Sequence, residues 1–328
     1  MKMIRSMVPA ALGLALTVGA VPQTGKIDRL DLHRLPLGDG KFSDHPQSGY
    51  VFSCQRNFSQ NAPGAQVVGP WIHGKTWDLT EKISVQGKID WPNAQFKIEQ
   101  TGDVRVVSRL ITGNGLPVDT PTGTFPVART DPASEIDRNP NSIRERHVAL
   151  TLPLNPVVAA QASCVGMGMI GVALNGVAIY NAFDAGGRDA VAHEVQDLCS
   201  GHPQMSGQYH YHGPSPCLPN QIGNEVLVGY AIDGFGIYSL YDAKGRELTD
   251  ADLDECHGRT SEIEWDGKRI SMYHYVLTRE YPYTIGCFRG TPIAMPHNGP
   301  GEGQRGRGFG PPRGPSFGPP PGGGPPPD

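Results

Sequence analysis

Short runs in which hydrophobic and polar residues alternate distinguish the region from residue 71 to residue 110. Glycine, proline or asparagine separates the runs, and a period of two is typical of strands that bury one face. The runs cover residues 77–85, 88–91, 95–99 and 104–107, and a further one covers 147–152. This pattern predicts antiparallel strands, preceded by an extended N-terminal arm at 21–61.

The second half of the chain repeats its own pattern. Residues 171–188 align with residues 229–246 without a gap, at an offset of 58 residues. The identical positions are Gly171, Ala173, Gly176, Ile179, Tyr180, Asp184, Ala185, Gly187 and Arg188. Each copy continues with acidic residues, a cysteine and a histidine, then with Tyr-His-Tyr and a second cysteine. Two copies are too few for a solenoid, so we expect two similar β-hairpin units that pack face to face. The alternative is a duplicated structural unit that carries no chemistry.

These patterns predict a mostly β fold with antiparallel sheets and a minor α+β character. The duplicated β-rich unit is expected to carry short helices at 193–198 and 250–256. We predict the following segments: a signal peptide at 1–20, the arm and an antiparallel β unit at 21–112, a domain at 113–297 with repeat units at about 166–217 and 224–287, and a tail at 298–328.

The N-terminus has the three parts of a secretory signal peptide. Lys2 and Arg5 precede an apolar run at 7–20, which ends in small residues at a cleavage position after Ala20. The run is short for a membrane span, and no later stretch is apolar enough to cross a bilayer. We therefore expect a secreted or periplasmic protein. An uncleaved N-terminal anchor is the alternative.

The C-terminal segment 298–328 contains 21 glycines and prolines. Such a composition buries too little apolar surface to offset the entropy of ordering, which predicts disorder. Arg305, Arg307 and Arg313 make the segment weakly basic. A weak contact with an anionic surface is one interpretation, and a solvated tail is the other.

Charge and cysteine content narrow the class of protein. The net charge of −4 gives no indication of a nucleic-acid partner. The six cysteines all follow the predicted signal peptide, and an even count in an exported chain favours disulfides. Six cysteines allow 15 pairings, which remain open at this point. No Cys-x-x-Cys occurs, so a thiolate zinc site and thioredoxin-like chemistry are not supported.

The candidate chemistry lies between Cys199 and Cys217. This stretch holds three of the eleven histidines and contains Tyr-His-Tyr-His at 209–212. If these four residues form a strand, His210 and His212 share one face, and Tyr209 and Tyr211 share the other. Two imidazoles at this spacing can bind one metal ion together.

Carboxylates and further histidines precede that strand. A short helix at 188–198 would bring His193, Glu194 and Asp197 near one face, and His202 would lie in the connecting loop. Imidazole and carboxylate are ligands of transition metals, and copper or zinc is the expected ion. The candidate metal ligands are His210, His212, His202, His193, Glu194 and Asp197. A metal-free catalytic site and a structural polar core are the alternatives.

The second copy is the weaker candidate, because Val276 follows Tyr-His-Tyr where the first copy has a histidine. Further candidates, for supporting positions around the metal or for the second copy, are Tyr209, Tyr211, Asp233, Asp252, Glu255, His257 and His274. The acidic run at 250–255 is similar to the start of a calcium loop, but it lacks the required glycine and glutamate. A capping box from Thr249 to Asp252 is the favoured reading, and calcium is a minor hypothesis.

Several motifs resemble those of the YHYH-domain proteins. They are Tyr209-His210-Tyr211-His212 with Gly201-His202-Pro203 before it, then Asp233-Gly234-Phe235, Asp252-Leu253-Asp254-Glu255-Cys256 and the segment 282–290. The resemblance extends from about Gly113 to Gly290. It implies an exported domain and does not imply a reaction. The second Tyr-His-Tyr, followed by Val276, departs from a full histidine motif.

Two functional hypotheses follow. The first is an exported metal-binding domain, which becomes a metal-dependent hydrolase or oxidase if water reaches an open coordination position. The second is a disulfide-stapled periplasmic or cell-surface interaction module without catalysis, whose proline-rich tail carries the contacts. The sequence contains no P-loop, dinucleotide fingerprint, Gly-x-Ser-x-Gly or His-Glu-x-x-His motif. It assigns no catalytic residue and no substrate.

Overall fold

The computed structural model describes residues 30–59, 62–102, 107–218 and 221–295. The predicted signal peptide at 1–20 and the predicted tail at 298–328 lie outside the described residues and stay predictions.

The described chain is mostly β, as the alternating pattern predicted. The strands are β1 (Leu35–Pro36), β2 (Phe42–Ser43), β3 (Val51–Phe52), β4 (Ile72–His73), β5 (Thr76–Trp77), β6 (Phe96–Gly102), β7 (Val107–Gly113), β8 (Val148–Pro153), β9 (Met169–Ala173), β10 (Ala178–Tyr180), β11 (Gly201–Pro203), β12 (Tyr209–Tyr211), β13 (Leu227–Ala231), β14 (Gly236–Tyr238), β15 (Gly258–Trp265) and β16 (Lys268–Val276). The helices are α1 (Ala190–His193) and two 3₁₀ helices, Pro132–Glu135 and Asp250–Asp252.

The largest sheet has eight strands in the order β11-β12-β10-β9-β13-β14-β16-β15. Each half contains an antiparallel hairpin, β9–β10 or β13–β14. In each half, the second strand of the hairpin pairs in parallel with a later strand, β12 or β16. An outer strand, β11 or β15, then pairs antiparallel with that later strand. The strand order is therefore the same when read from either edge.

The two halves lie edge to edge in this one sheet, so the face-to-face packing expected from the sequence is wrong. Strands β9 and β13 pair antiparallel, with Gly171 opposite Ala231 and Gly229 opposite Ala173. A Cβ atom at Gly229 would lie 2.6 Å from the carbonyl oxygen of Val172. Glycine at this position therefore allows the two hairpins to approach closely enough to form a continuous sheet.

The described residues form a larger and a smaller hydrophobic core, and a three-stranded antiparallel sheet, β6-β7-β8, contributes to the smaller one. Buried positions alternate along β8, as the sequence pattern predicted. Ile111 and Leu150 of this sheet share the core with Val172 and Trp265 of the eight-stranded sheet. Since β7 and β8 are neighbours, this sheet spans the segment boundary predicted at residue 112.

The helix that the sequence predicts up to residue 198 is much shorter in the structure. Helix α1 ends at His193 because Glu194 has an extended backbone, with φ −79° and ψ 142°. The next amide, Val195 N–H, donates to the carboxylate of Asp137 at 3.1 Å instead of continuing the helix. Asp197 therefore lies outside the helix and does not share a helical face with His193.

The second predicted helix is also shorter than expected. Only Asp250–Asp252 is helical, as one 3₁₀ turn, and Leu253 is extended. The Asp252 carboxylate accepts the backbone N–H of Thr249 at 3.0 Å, which supports the cap predicted there. The same carboxylate pairs with Arg246 at 3.0 Å, and this ion pair accounts for its position without calcium.

Three disulfides staple the module: Cys54–Cys164, Cys199–Cys217 and Cys256–Cys287. One lies in each half of the eight-stranded sheet, and the third joins the N-terminal segment to the chain before β9. Disulfides persist in oxidising compartments, so these three fit an exported protein. Across the described ranges, no helix has both the length and the apolar character needed to cross a membrane.

Candidate functional site

Two histidines of the candidate site face each other across the β11–β12 hairpin. The register places His202 opposite His210. His212 directly follows β12, two residues after His210, so both side chains lie on the same face. The prediction that His210 and His212 share a face agrees with this arrangement, and His202 joins them from the neighbouring strand rather than from a loop.

The tyrosines of the signature occupy the opposite face and anchor the strand. Tyr209 donates its hydroxyl proton to the carboxylate of Asp197 at 2.9 Å, and Tyr211 accepts from the side-chain amide of Asn175 at 3.0 Å. Burial raises the pKa of Tyr211 to about 12, so its phenol stays neutral. These buried hydrogen bonds fix the strand on which the histidines are carried.

The three imidazoles converge on one point. One ring nitrogen of each of His202, His210 and His212 lies within 4.8 Å of the corresponding nitrogens of the other two. The Nε2 atoms of His210 and His212 are only 3.0 Å apart. The three residues are 3, 2 and 4% exposed, respectively. Among the residues that the structure describes, this is the one group of three or more such side chains with metal-binding geometry.

Backbone carbonyls set the tautomers of two rings. The Nδ1 atom of His210 lies 3.1 Å from the carbonyl oxygen of Gln208, and that of His212 lies 2.5 Å from the carbonyl oxygen of Asn181. A carbonyl only accepts, so each Nδ1 carries the proton, and each Nε2 of the neutral ring is a bare lone pair. Two lone pairs then face each other in a buried site, an arrangement that a cation between them would stabilise.

Glu194 adds a carboxylate to the group. Its Oε2 atom lies 3.4 Å from Nε2 of both His202 and His212. Neither Glu194 Oε2 nor His202 Nε2 has a hydrogen-bond partner in the structure, although both atoms are buried. Buried polar atoms without partners are rare in native proteins, and an unseen ion is one of the few physical reasons for them.

Burial determines the protonation of these groups when no metal is bound. It raises the pKa of Glu194 well above its ordinary value, an effect that nearby Asp184 and Asp137 reinforce. It lowers the pKa of His202 and His210 well below the ordinary value, and it lowers that of His212 to about 4. The imidazoles are therefore neutral at pH 7, and neutral imidazole is the form that coordinates metal.

His202 has one contact that opposes coordination through Nε2. The side-chain amide nitrogen of Asn139 lies 3.4 Å from its Nδ1 and 3.0 Å from the carbonyl oxygen of Pro203. In this arrangement Nδ1 accepts, and Nε2 carries a proton that faces Glu194. Metal binding through Nε2 requires the proton to move to Nδ1 and the amide of Asn139 to turn away from a contact that is already long.

An aromatic ring covers His210. Tyr180, at the end of β10, stacks on the imidazole with ring centroids 4.0 Å apart and an interplanar angle of 27°. Sequence reasoning assigned no role to Tyr180, although it was one of the identical positions of the internal alignment. The carbonyls of Gln208 and Asn181 and the side chain of Asn139 were also missed, because backbone acceptors and long-range contacts leave no sequence motif.

Two of the six predicted ligands lie elsewhere. His193 directs its Nε2 to the carboxylate of Asp39 at 3.0 Å. Asp197 accepts from Tyr209 and from the backbone N–H groups of Gly123, Cys199 and Gly201. Burial raises the pKa of Asp197. Its carboxylate organises the turn before β11 and lies on the tyrosine side of the strand.

In the second half of the sheet, tyrosine hydroxyls again anchor the strand, but the residues on the opposite face differ. Tyr275 donates to Asp233 at 2.6 Å, and Tyr273 donates to Asp254 at 3.1 Å. His274 lies in the position that corresponds to His210, but its cross-strand partner is Arg259. Of the three converging histidines, only His210 thus has a histidine, His274, at the corresponding position of the second half.

The remaining candidates of that half do not converge. His257 directs Nε2 to the hydroxyl of Thr278 at 3.0 Å, and its Nδ1 lies 3.5 Å from Asp250. Glu255 is half exposed and makes a long ion pair with Arg289 at 4.0 Å. Asp252 is held by Arg246, as described above.

Comparison with known proteins gives one match. The model of the family described as YHYH protein matches residues 149–251, which include β9 to β14 and the three converging histidines. No curated protein and no solved structure matches the chain.

Proposed function

The chain belongs to the YHYH protein family, which its residues 149–251 match, and we propose that this domain binds a transition-metal cation. His202, His210 and His212 supply the imidazole ligands, and Glu194 supplies a carboxylate. Tyr180 and the tyrosines of the signature hold the ligands in place. Of the six ligands predicted from the sequence, the proposal keeps these four and omits His193 and Asp197.

The observation that carries the proposal is the pair of facing Nε2 atoms. They are 3.0 Å apart, and both rings have their Nδ1 protons committed to backbone carbonyls. A buried pair of acceptors without a donor between them is unfavourable. A cation that accepts both lone pairs turns this repulsion into two bonds.

The spacing of the donor atoms supports a first-row metal. Four ligands at the usual bond lengths of tetrahedral zinc stand about 3.3 Å apart. The His210–His212 distance is 3.0 Å, and both distances from Glu194 Oε2 are 3.4 Å. Imidazole with one carboxylate suits zinc and copper better than calcium or magnesium, which prefer oxygen ligands.

We limit the proposal to binding. A hydrolase or oxidase needs a metal position that substrate and water can reach, and the Nε2 atoms of His210 and His212 face each other and Glu194 inside the buried cluster, not the solvent. The second candidate function, an interaction module, is favoured by the three disulfides. In that case the histidine cluster is a polar part of the core and takes up no metal.

Metal stoichiometry separates the two functions. Purified protein, stripped with chelator and dialysed against zinc or copper(II), is expected to retain about one equivalent of metal. The double variant His210→Ala/His212→Ala is expected to lose it. His274→Ala is the matched control, because His274 is a buried histidine with the same tyrosine neighbours, and this variant keeps the metal.

The interaction-module function would be supported by the opposite result. The wild-type protein would then take up no stoichiometric metal, and chelator and zinc would both leave its thermal unfolding unchanged.

A further inference from the structure

A cleft of about 710 Å³ opens beside the histidine cluster, with His212 in its wall. Apolar and aromatic side chains from distant parts of the chain form most of the rest of the wall. They include Trp77, Leu79, Val191, Leu240, Tyr241 and Tyr283. Small-molecule sites have volumes in the range of roughly 300–1,000 Å³ and walls of this composition.

Several polar groups of the wall already have partners inside the protein. Gln196 donates to the carbonyl oxygen of Ala190 and accepts from Lys82. Ser215 donates to the carbonyl oxygen of Cys199 at 2.6 Å. These groups therefore have little capacity left to recognise a strongly polar ligand.

The charge in the wall is also compensated. Arg279 is the one cationic side chain of the described lining, and its Nε donates to Glu247 at 2.8 Å. The carboxylate of Glu247 neutralises this guanidinium, so the wall offers an anionic ligand no net positive charge. A ligand with a positive charge would find no free carboxylate among the described lining residues.

We propose that this cleft binds an uncharged, largely apolar small molecule with an aromatic or branched aliphatic body. The ligand packs against the partly exposed side chains of Leu79, Val191 and Tyr241, and the edges of the buried Trp77 and His212 rings form the floor of the cleft. The volume, the aromatic wall and the absence of an uncompensated charge select this chemical class. The proposal goes beyond the metal site and does not require that a metal be bound.

The test uses N-phenyl-1-naphthylamine, an uncharged aromatic probe whose fluorescence rises in apolar surroundings. Full-length protein stripped of metal is titrated with the probe, and the titration is repeated with zinc present. We expect saturable binding at one site in both conditions. The anionic probe 1-anilinonaphthalene-8-sulfonate is expected to bind more weakly.

Val191→Trp fills the cleft and is expected to weaken binding of the uncharged probe by about tenfold or more. Leu79→Trp fills it from a different segment and guards against misfolding of the first variant. Val157→Trp is the matched control, because Val157 is 77% exposed and does not line the cleft. Circular dichroism checks that each variant is folded.

Non-saturable binding, or equal binding in folded Val191→Trp, Leu79→Trp and Val157→Trp, would overturn the proposal. Stronger binding of the anionic probe would overturn the assigned ligand class. The metal stoichiometry of the same samples is measured separately. Failure of the metal site therefore leaves the probe result readable, and the reverse also holds.

Discussion

The environment of Glu194 distinguishes between the two interpretations of the histidine cluster, a metal site and a structural core. Its buried carboxylate is surrounded by neutral imidazoles, and burial strongly raises its pKa. Without a metal the acid must take up a proton or stay charged with only the 3.4 Å contacts to His202 and His212, and either state costs free energy at neutral pH. A bound cation reverses that cost.

Glu194→Gln is predicted to have opposite effects on the two forms of the protein. The metal-free variant should be at least as stable as the wild type at pH 7. The buried carboxylate of Glu194 must take up a proton when the wild type folds, and the glutamine amide does not. The affinity for zinc should fall by about tenfold or more. Denaturant unfolding without metal and zinc titration measure the two effects.

Glu255→Gln is the control for this change, since Glu255 is exposed and distant in sequence from the cluster. It should leave both quantities unchanged. A purely structural role for Glu194 predicts the contrary outcome, a loss of stability in chelator with no metal affinity to lose.

His274 provides a pH test outside the proposed metal ligands. Burial is the main cause that lowers its pKa from 6.5 to about 4. Between these values the unfolded chain binds a proton that the folded protein does not, so this residue reduces stability as the pH falls from about 6.5 to about 4. Above pH 7 the histidine is neutral in both states and has no such effect.

We predict that the free energy of unfolding of His274→Gln rises steadily relative to that of the wild type as the pH falls over that range. The relative gain should total roughly 3 kcal/mol by pH 4, at about 1.4 kcal/mol per pKa unit. Denaturant unfolding of both proteins at several pH values provides the measurement. Stability curves that run parallel between pH 7 and pH 4 would show that His274 is not held neutral.

At the residue scale, a period of two was enough to place His210 and His212 on one face. It could not select Glu194 over Asp197, because that choice depends on where α1 ends. The helix ends at His193 since Glu194 is extended and the amide of Val195 donates to Asp137, 58 residues earlier in the chain. A contact over that distance leaves no local signal in the sequence.

At the scale of elements, the two halves of the eight-stranded sheet differ most clearly in their histidines: three converge in the first half and one, His274, has the corresponding position in the second. Both halves have a turn in which an aspartate, Asp197 or Asp254, accepts backbone N–H groups and a tyrosine hydroxyl. Ser200 and His257 occupy equivalent left-handed positions in these turns, with φ of 62° and 68°. The internal repeat in the sequence pairs His257 with His202. The strand register shows instead that Arg259 is the residue that corresponds to His202.

This correspondence predicts a gain of function. Arg259→His/Val276→His gives the second half three histidines on one face of the β15–β16 hairpin, as in the first half. The double variant is expected to bind a second equivalent of zinc, more weakly than the first because the substitutions supply three imidazole ligands and no carboxylate. Arg259→His alone is the control and should not add an equivalent.

Isothermal titration of the folded variants counts the sites. If the double variant stays at one equivalent, the backbone of the second half does not reproduce the arrangement of the first. Alternation predicted β6 and β8, whereas the alternating runs at 77–85 and 88–91 form only isolated bridges after Trp77. The pairing of β7 with β8 could not be predicted. It joins segments more than 30 residues apart, and hydrophobic pattern alone does not specify such partners.

At the scale of the whole molecule, each half of the eight-stranded sheet has its own disulfide. Cys199–Cys217 closes a loop that contains all three converging histidines, with a sequence separation of 18 residues. Cys256–Cys287 closes a loop of 31 residues in the second half. An even cysteine count predicted disulfides, and the pairing depended on the tertiary fold.

Removal of either bridge as a double alanine variant should cost about 3 kcal/mol, mainly because the unfolded chain gains freedom. Only Cys199→Ala/Cys217→Ala should also weaken zinc binding, since it loosens the loop that carries the ligands. Cys256→Ala/Cys287→Ala is the matched control. Equal zinc affinities in the two folded variants would show that the first disulfide does not organise the site.

The most direct test of the metal site is anomalous diffraction from crystals of the wild-type protein loaded with one equivalent of zinc. We predict a single peak at the zinc edge within about 2.0–2.2 Å of one ring nitrogen from each of His202, His210 and His212, with Glu194 turned towards it. A peak at any other position, or a zinc-loaded crystal with no peak among these three rings, would contradict it.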